Sequence, residues 1–358
     1  MNKIIVFCPN LVGDTVMATP ALRALRRGFP KATILGVIRP QVAATLDGTE
    51  WLDDLIPFDH ASSDRSTRTL AVSRRLRAER AELAVLLPNS FRSALVAWSA
   101  GIARRIGYAR GGRGILLTDR MTVPRDDGER LPVPIVDYYL AIVRRLGCPV
   151  DSVRTELATT PDDEVAADRV WESLGLGEGL PVVCFNTGGA FGPAKNWPRE
   201  HFVTLARRLV DEAGVRVLIV CGPAERATAK AIAAAARDPR VTSLADFDVG
   251  IGLTKACIKR SDLLITTDSG PRHFAAAFGV AVITLFGPTH IAWTRTYHPL
   301  AVHLFHPVPC GPCQKPICPL GHQRCMTELS PDAVFRAATR MLPRRRAAEP
   351  IVATSEGA

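Results

Sequence analysis

The stretch Thr266-Thr267-Asp268-Ser269-Gly270-Pro271-Arg272-His273, followed by Phe274-Ala275-Ala276-Ala277 and then Val280–Leu285, decides the fold. It reads as a buried strand (Leu263–Thr266), a sharp polar turn, a small-residue helix and a second buried strand that ends in Phe286-Gly287-Pro288-Thr289. Asp268 and Ser269 are N-cap types, Gly270 lets a ligand approach the backbone, and Pro271 suits the first helical position. Such a turn aims free N–H groups and a positive helix end at one spot, which suits a phosphate. Taken alone, it serves equally well as a structural cap.

The same alternation runs outward in both directions. Ile4–Cys8 is an apolar strand, Asp14–Arg27 has helical apolar spacing, and Thr33–Ile38 is a second strand. Leu83–Leu87, a helix around Ser90–Ala100, Arg105–Tyr108 and a helical Val136–Leu146 follow. Thr160-Pro161 with Asp162, Asp163 and Glu164 opens a further helix, its cap and acidic first turn in order. Then come Val182–Phe185, helix Pro198–Asp211, Val215–Val220, helix Ala224–Ala236 and Asp262–Thr266. Apolar strands separated by helices imply parallel sheets covered on both faces. The expected fold is therefore α/β, with two Rossmann-like domains facing each other across a cleft, at 1–165 and 175–342. Past about Arg344 the periodicity ends, and 343–358 reads as a disordered basic tail.

A chain of 358 residues suits two domains, and 47% hydrophobic with 6% aromatic content fits a water-soluble α/β protein. No apolar run is long enough to span a bilayer. The opening Met1–Phe7 is broken at Pro9-Asn10, so it reads as a first strand and not as a signal, and the expected location is the cytoplasm. The formal net charge is +10. Arginines concentrate at Arg65–Arg80, on a predicted helix, and at Arg336–Arg346. A solvated helix face and an anionic partner are both open readings. Aromatic residues do not interleave with the arginines and no nucleic-acid motif is present, which disfavours nucleic acid.

Three more turns lie beyond strand ends, where parallel sheets carry their sites. The first is Pro9-Asn10-Leu11-Val12-Gly13-Asp14, in which Asp14 is a cleft carboxylate or a helix cap. The second, Asn186-Thr187-Gly188-Gly189 through Lys195, is glycine-rich and ends in a lysine able to neutralise a phosphate, or to stay solvated. The third carries Glu225, which suits a ribose or simply the N-terminal end of its helix.

Taken together these motifs resemble a known family. Pro9-Asn10-x-Val12-Gly13-Asp14-x-Val16-Met17-Ala18-Thr19-Pro20, Gly192-Pro193-Ala194-Lys195-x-Trp197-Pro198 and Asp268-Ser269-Gly270-x-x-His273 are similar to those of the ADP-heptose:lipopolysaccharide heptosyltransferases, glycosyltransferase family 9, closest to the heptosyltransferase II type. Leu87–Ala94, Arg104–Tyr108 and Val136–Tyr139 extend the likeness. The resemblance implies a GT-B fold, acceptor domain first and nucleotide-sugar domain second. It implies Asp14 as general base, and Thr187, Gly188, Lys195, Glu225, Asp268, Ser269, Gly270 and His273 as the donor site. It further implies Asn10, Gly13, Asn89 and Arg92 on the acceptor side. The implied reaction moves heptose from ADP-heptose to the inner-core heptose of a phosphorylated, lipid A-linked acceptor. It is a single inverting displacement that needs no cofactor, at the inner face of a membrane whose anionic surface the arginines contact. Another sugar donor or acceptor, or a binding protein without turnover, is the alternative. The likeness departs at Leu11, Thr187 and Asn196, where close relatives often carry Trp, Pro and Arg.

Of nine cysteines, Cys8, Cys148, Cys184, Cys221 and Cys257 sit in apolar segments as buried thiols. Cys310, Cys313, Cys318 and Cys325, with His322 nearby, form a cluster between Pro-rich turns. Reduced thiols in a packed loop, a metal site and a disulfide remain open there, with the metal not favoured.

Overall fold

The computed structural model describes residues 1–342 apart from 124, 127, 128 and 178. The expected tail at 343–358, including Arg344–Arg346, lies outside the described residues. Six parallel strands form the first sheet: β1 (Lys3–Phe7), β2 (Thr33–Ile38), β3 (Asp54–Pro57), β4 (Leu83–Leu86), β5 (Arg104–Tyr108) and β6 (Asp119–Met121), in the order β3-β2-β1-β4-β5-β6. A small antiparallel hairpin, β7 (Arg125–Asp126) and β8 (Glu129–Arg130), follows. The second half repeats the pattern with β9 (Val182–Asn186), β10 (Arg216–Val220), β11 (Val241–Ser243), β12 (Leu263–Thr267), β13 (Ala281–Phe286) and β14 (Ala301–Phe305). Their order is β11-β10-β9-β12-β13-β14, again all parallel.

Helices α1 (Val12–Met17), α2 (Thr19–Gly28), α3 (Pro40–Ala43), α4 (Thr69–Glu79), α5 (Phe91–Ser99) and α6 (Ile135–Arg145) belong to the first half. The second carries α7 (Pro161–Ser173), α8 (Arg199–Ala213), α9 (Arg226–Ala236), α10 (Ile251–Lys259), α11 (Pro271–Phe278), α12 (Arg324–Thr327) and α13 (Pro331–Met341). Alternate residues of a strand feed opposite faces. Ile4, Val6, Leu83 and Val85 accordingly join one core with α2 and α6, while Ile5, Phe7, Ala84 and Leu86 join the other with α4 and α5. The second domain packs around one core.

In each sheet the strand order reverses at one place, between β1 and β4 in the first and between β9 and β12 in the second. Loops after these strands diverge there and leave a crevice at the carboxyl edge. The turns after β1, β4, β9 and β12 begin at Cys8, Leu87, Thr187 and Asp268, so the sequence motifs open onto the two crevices.

The helix expected over Asp14–Arg27 is instead two, broken at Ala18. Pro20 sits in the first turn of α2, and its ring cannot follow a continuous helix past the carbonyl four residues back. Strands β3, β6, β11 and β14 and helices α10 and α13 are additional to the sequence expectation. β3, β6, β11 and β14 are sheet edges or short, and Ala301–Phe305 is only half-buried, so they lack continuous apolar runs. Helix α7 buries Ala167 and Val170 in the second core. The chain therefore crosses between domains before Pro161.

The two halves touch. Val16 of α1 reaches the second core. Fully buried Lys255 on α10 donates to the carbonyls of Asp47 (3.2 Å) and Ala158 (3.0 Å). The Tyr297 hydroxyl, after β13, donates to the Asp137 carboxylate of α6.

Candidate active site

Asp268, just past β12, does not cap α11; the cap position is Gly270, without a side-chain bond. Its buried carboxylate is instead the centre of an ionic cluster. Lys195 Nζ lies 2.7 Å from Asp268 Oδ2 and also donates to the Asp268 carbonyl at 2.8 Å. Arg272 Nη1, in the first turn of α11, donates to Oδ1 at 2.9 Å, and the Thr289 hydroxyl to Oδ2 at 2.7 Å. Burial pushes the Asp268 carboxyl up, but Arg272 and Lys195 outweigh it and hold the group well below the usual carboxylate range. Lys195 is further placed by the Phe191 ring, 4.4 Å from its nitrogen.

The glycine loop after β9 is clamped onto this turn. Asn186 Nδ2 donates to the Ser269 hydroxyl (2.8 Å), the Thr266 hydroxyl (3.0 Å) and the Gly188 carbonyl (3.0 Å). Thr187 is buried, and its hydroxyl has no partner among the described residues. The Glu225 carboxylate accepts from the Gly222 amide at 2.9 Å through Oε2, while Oε1 faces Gly188, where an added Cβ would lie 2.9 Å from it. Thr187, Gly188, Lys195, Glu225, Asp268, Ser269, Gly270 and His273 thus line one crevice edge of the second sheet. Asn186, Arg272 and Thr289 belong with them and carried no role in the sequence reading. Thr289 sits in the Gly-Pro-Thr turn at a strand end, a signal that was available.

Opposite stands α1. Gly13 and Gly270 bring α1 and α11 together: a Cβ on Gly13 would fall 2.8 Å from His273 Cδ2, and one on Gly270 3.1 Å from Val12 Cγ1. Close backbone approach explains both glycines. The cap position of α1 is Leu11, and no side chain caps the helix, so Asp14 is not a cap. Among the described residues the Asp14 carboxylate has no hydrogen-bond or ion-pair partner. Burial first, then the Asp268 carboxylate, push it up to about 6 against a downward pull from Lys195. His273 is buried with Nδ1 unpartnered. Burial, then Arg272, hold its ring well below the usual range, so it is neutral at pH 7.

Residues 69–323 match glycosyltransferase family 9 (heptosyltransferase). The chain belongs to that family. It is therefore a glycosyltransferase. It is 29% identical over 312 residues to lipopolysaccharide heptosyltransferase 2 of Escherichia coli K12, covering 80% of this chain and 83% of the relative. The solved E. coli ADP-heptose lipopolysaccharide heptosyltransferase II superposes with a TM-score of 0.76 at 25% identity, over 95% of this chain and 98% of the other. A family 9 glycosyltransferase from Veillonella parvula gives 0.80 at 22%, over 95% and 97%. The GT-B architecture expected from the resemblance is the one found.

On the first-domain side of this family 9 enzyme, Asn10 and Arg92 line one small cavity. Asn89 is more committed: its carbonyl oxygen accepts from the Tyr138 hydroxyl (3.0 Å) and from Arg113 (3.3 Å). Arg65, Arg68, Arg74, Arg75, Arg77 and Arg80 are all exposed on and beside α4. No helix among the described residues is long and apolar enough to cross a membrane. The four clustered cysteines are free thiols around one small cavity with His322, whose Nε2 lies 4.0 Å from Cys310 Sγ. Among the described residues no three His, Cys, Asp or Glu side chains stand in a metal-holding arrangement.

Proposed function

We propose that the enzyme transfers heptose from ADP-heptose to the inner-core heptose of a lipid A-linked lipopolysaccharide precursor, with inversion and with Asp14 as general base. The observation that carries this is the unpartnered Asp14 carboxylate, raised to about 6, facing the Lys195–Asp268–Arg272 cluster across the cleft. A group of that basicity is ionised at neutral pH yet still takes a proton readily. The acceptor hydroxyl attacks the anomeric carbon, its proton passes to Asp14, and the bond from that carbon to the diphosphate oxygen breaks. Arg272 and Thr289 balance Asp268, which leaves Lys195 able to meet the departing diphosphate, beside the positive end of α11. In this scheme no metal ion takes part. Glu225, with Oε1 free of a partner among the described residues, suits the ribose. The exposed arginines of Arg65–Arg80 suit an anionic membrane surface, where the lipid-linked acceptor lies.

Incubation of the purified protein with ADP-heptose and a truncated lipopolysaccharide, read by mass spectrometry, tests the reading. One added heptose is expected. An acceptor unchanged in mass while the donor is bound would leave a binding protein.

A further inference from the structure

The loop from Cys310 to Cys325 carries chemistry that the transfer reaction does not use, and it lies against the donor crevice. Its Pro316 carbonyl accepts from the Ala194 amide at 3.0 Å, and Gln323 Nε2 donates to the Pro193 carbonyl at 2.6 Å. The Gln314 amide donates to the Pro288 carbonyl at 2.8 Å. A Cβ placed on Gly287 would stand 3.3 Å from Cys325 Sγ. The loop therefore braces Pro193–Ala194, next to Lys195, and Gly287–Pro288, next to Thr289. Lys195 and Thr289 are the two side chains that meet Asp268 Oδ2.

Four free thiols ring the small cavity inside this loop. Burial, then the thiols of Cys310, Cys313 and Cys318, push Cys325 up, so the other three lie within its electrostatic reach. The Gln323 amide, with those of Leu320, Gly321 and His322, draws the Cys318 thiol below its usual range. Cys310 is exposed, and Cys313 is half-buried. His322 Nδ1 accepts from the Arg324 amide at 3.0 Å, so in the neutral ring Nε2 carries the proton. That nitrogen lies 4.0 Å from Cys310 Sγ, and its N–H suits a sulfur bearing negative charge. An accessible thiol, a nearby donor and a second thiol at C-x2-C spacing are the parts of a thiol–disulfide exchange site.

We propose that Cys310 and Cys313 form such a site, open to a low-molecular-weight disulfide of the glutathione type, and that its oxidation loosens the donor site. The Cys310 thiolate attacks one sulfur of glutathione disulfide; that S–S bond breaks, and one glutathione leaves as the thiol with the proton. Cys313 then attacks the Cys310 sulfur, the mixed disulfide breaks, and the second glutathione leaves. Two cysteine thiols are oxidised and one external disulfide is reduced to two thiols. Joining Cys310 to Cys313 tightens the chain just ahead of Gln314, whose amide holds the turn that carries Thr289. The effect on the donor rests on the donor-site reading above; the exchange itself does not.

The reduced full-length chain, titrated with glutathione disulfide, tests this through peptide mass mapping and ADP calorimetry. A disulfide between Cys310 and Cys313 is expected, with ADP affinity lower by about fivefold or more, and dithiothreitol should reverse both. Cys310→Ser should block the modification, and Cys313→Ser should stop at the mixed disulfide on Cys310. Both variants, kept reduced, should bind ADP as wild type does. Absence of modification at Cys310, a metal ion held by the thiols that prevents exchange, or a disulfide that leaves ADP affinity unchanged overturns the proposal. A wild-type chain that exchanges as described but binds no ADP when reduced upholds the exchange site and counts against the donor-site reading alone. Should Cys310→Ser fail to fold, the mapped position of glutathione on Cys313→Ser decides which thiol attacks.

Discussion

Asp14→Asn keeps the size of the side chain and removes its charge. The carboxyl rises from 3.8 to about 6 on folding. A shift of about 2 units corresponds to about 3 kcal/mol spent in holding the charge between the domains at neutral pH, a ceiling because the side chain keeps some contact with solvent. The folded-state value lies above the unfolded one, so between them the folded protein binds more protons. Its stability from this group is full below about pH 4, falls as pH rises toward 6, and stays lower beyond. The Asn variant should therefore be as stable as wild type at pH 7 or more stable, by up to about 3 kcal/mol, and should lack that slope. Turnover should drop by about 10²–10⁴, the contribution of a positioned base, with ADP affinity retained. The wild-type rate should also decline below about pH 6. Thermal melts across pH 4–8, ADP calorimetry and a transfer assay read the three quantities. Near-normal turnover in the variant, or loss of ADP binding, would refute the argument.

Three more predictions follow from the geometry. Lys195→Ala should weaken ADP binding by about tenfold or more in calorimetry, while Arg272 and Thr289 still hold Asp268 and the fold persists; unchanged affinity removes Lys195 from the site. Gly13→Ala places a methyl 2.8 Å from a ring carbon of buried His273, so either that ring or the spacing of α1 and α11 must shift. Turnover should fall by about tenfold or more with ADP affinity intact, since small misplacements at a reacting centre are costly; full activity would show that close approach is not needed. Co-sedimentation with anionic vesicles should exceed that with neutral ones and weaken as salt rises, through the exposed arginines beside α4. Equal binding to both vesicle types contradicts this.

The sheets were legible because β1, β4, β9 and β12 are buried on both faces and read as uninterrupted apolar runs. Edge strands β3 and β14 were not, since half their surface faces solvent and the pattern dissolves. Position along the chain also marked the turns proposed here for the donor, because each polar turn directly follows a buried strand. Pairing was the hidden part. Asp268 has the residue type of a cap, and only the arrival of Lys195 and Thr289 from separate segments, beside its near neighbour Arg272, turns it into an ionic centre. Asp14 likewise gains its raised basicity from burial first and then from Asp268, a residue from the far half of the chain. Arg113 gave no local signal at all, because a lone arginine near a strand end is ordinary until the fold encloses it.

The most direct measurement is the product itself. Transfer from ADP-heptose to truncated lipopolysaccharide, followed by mass spectrometry and by NMR of the new anomeric centre, should yield one added heptose whose configuration is opposite to that in the donor. A product with the donor's configuration retained would contradict a single displacement assisted by Asp14, and absence of any added heptose would contradict the proposed reaction.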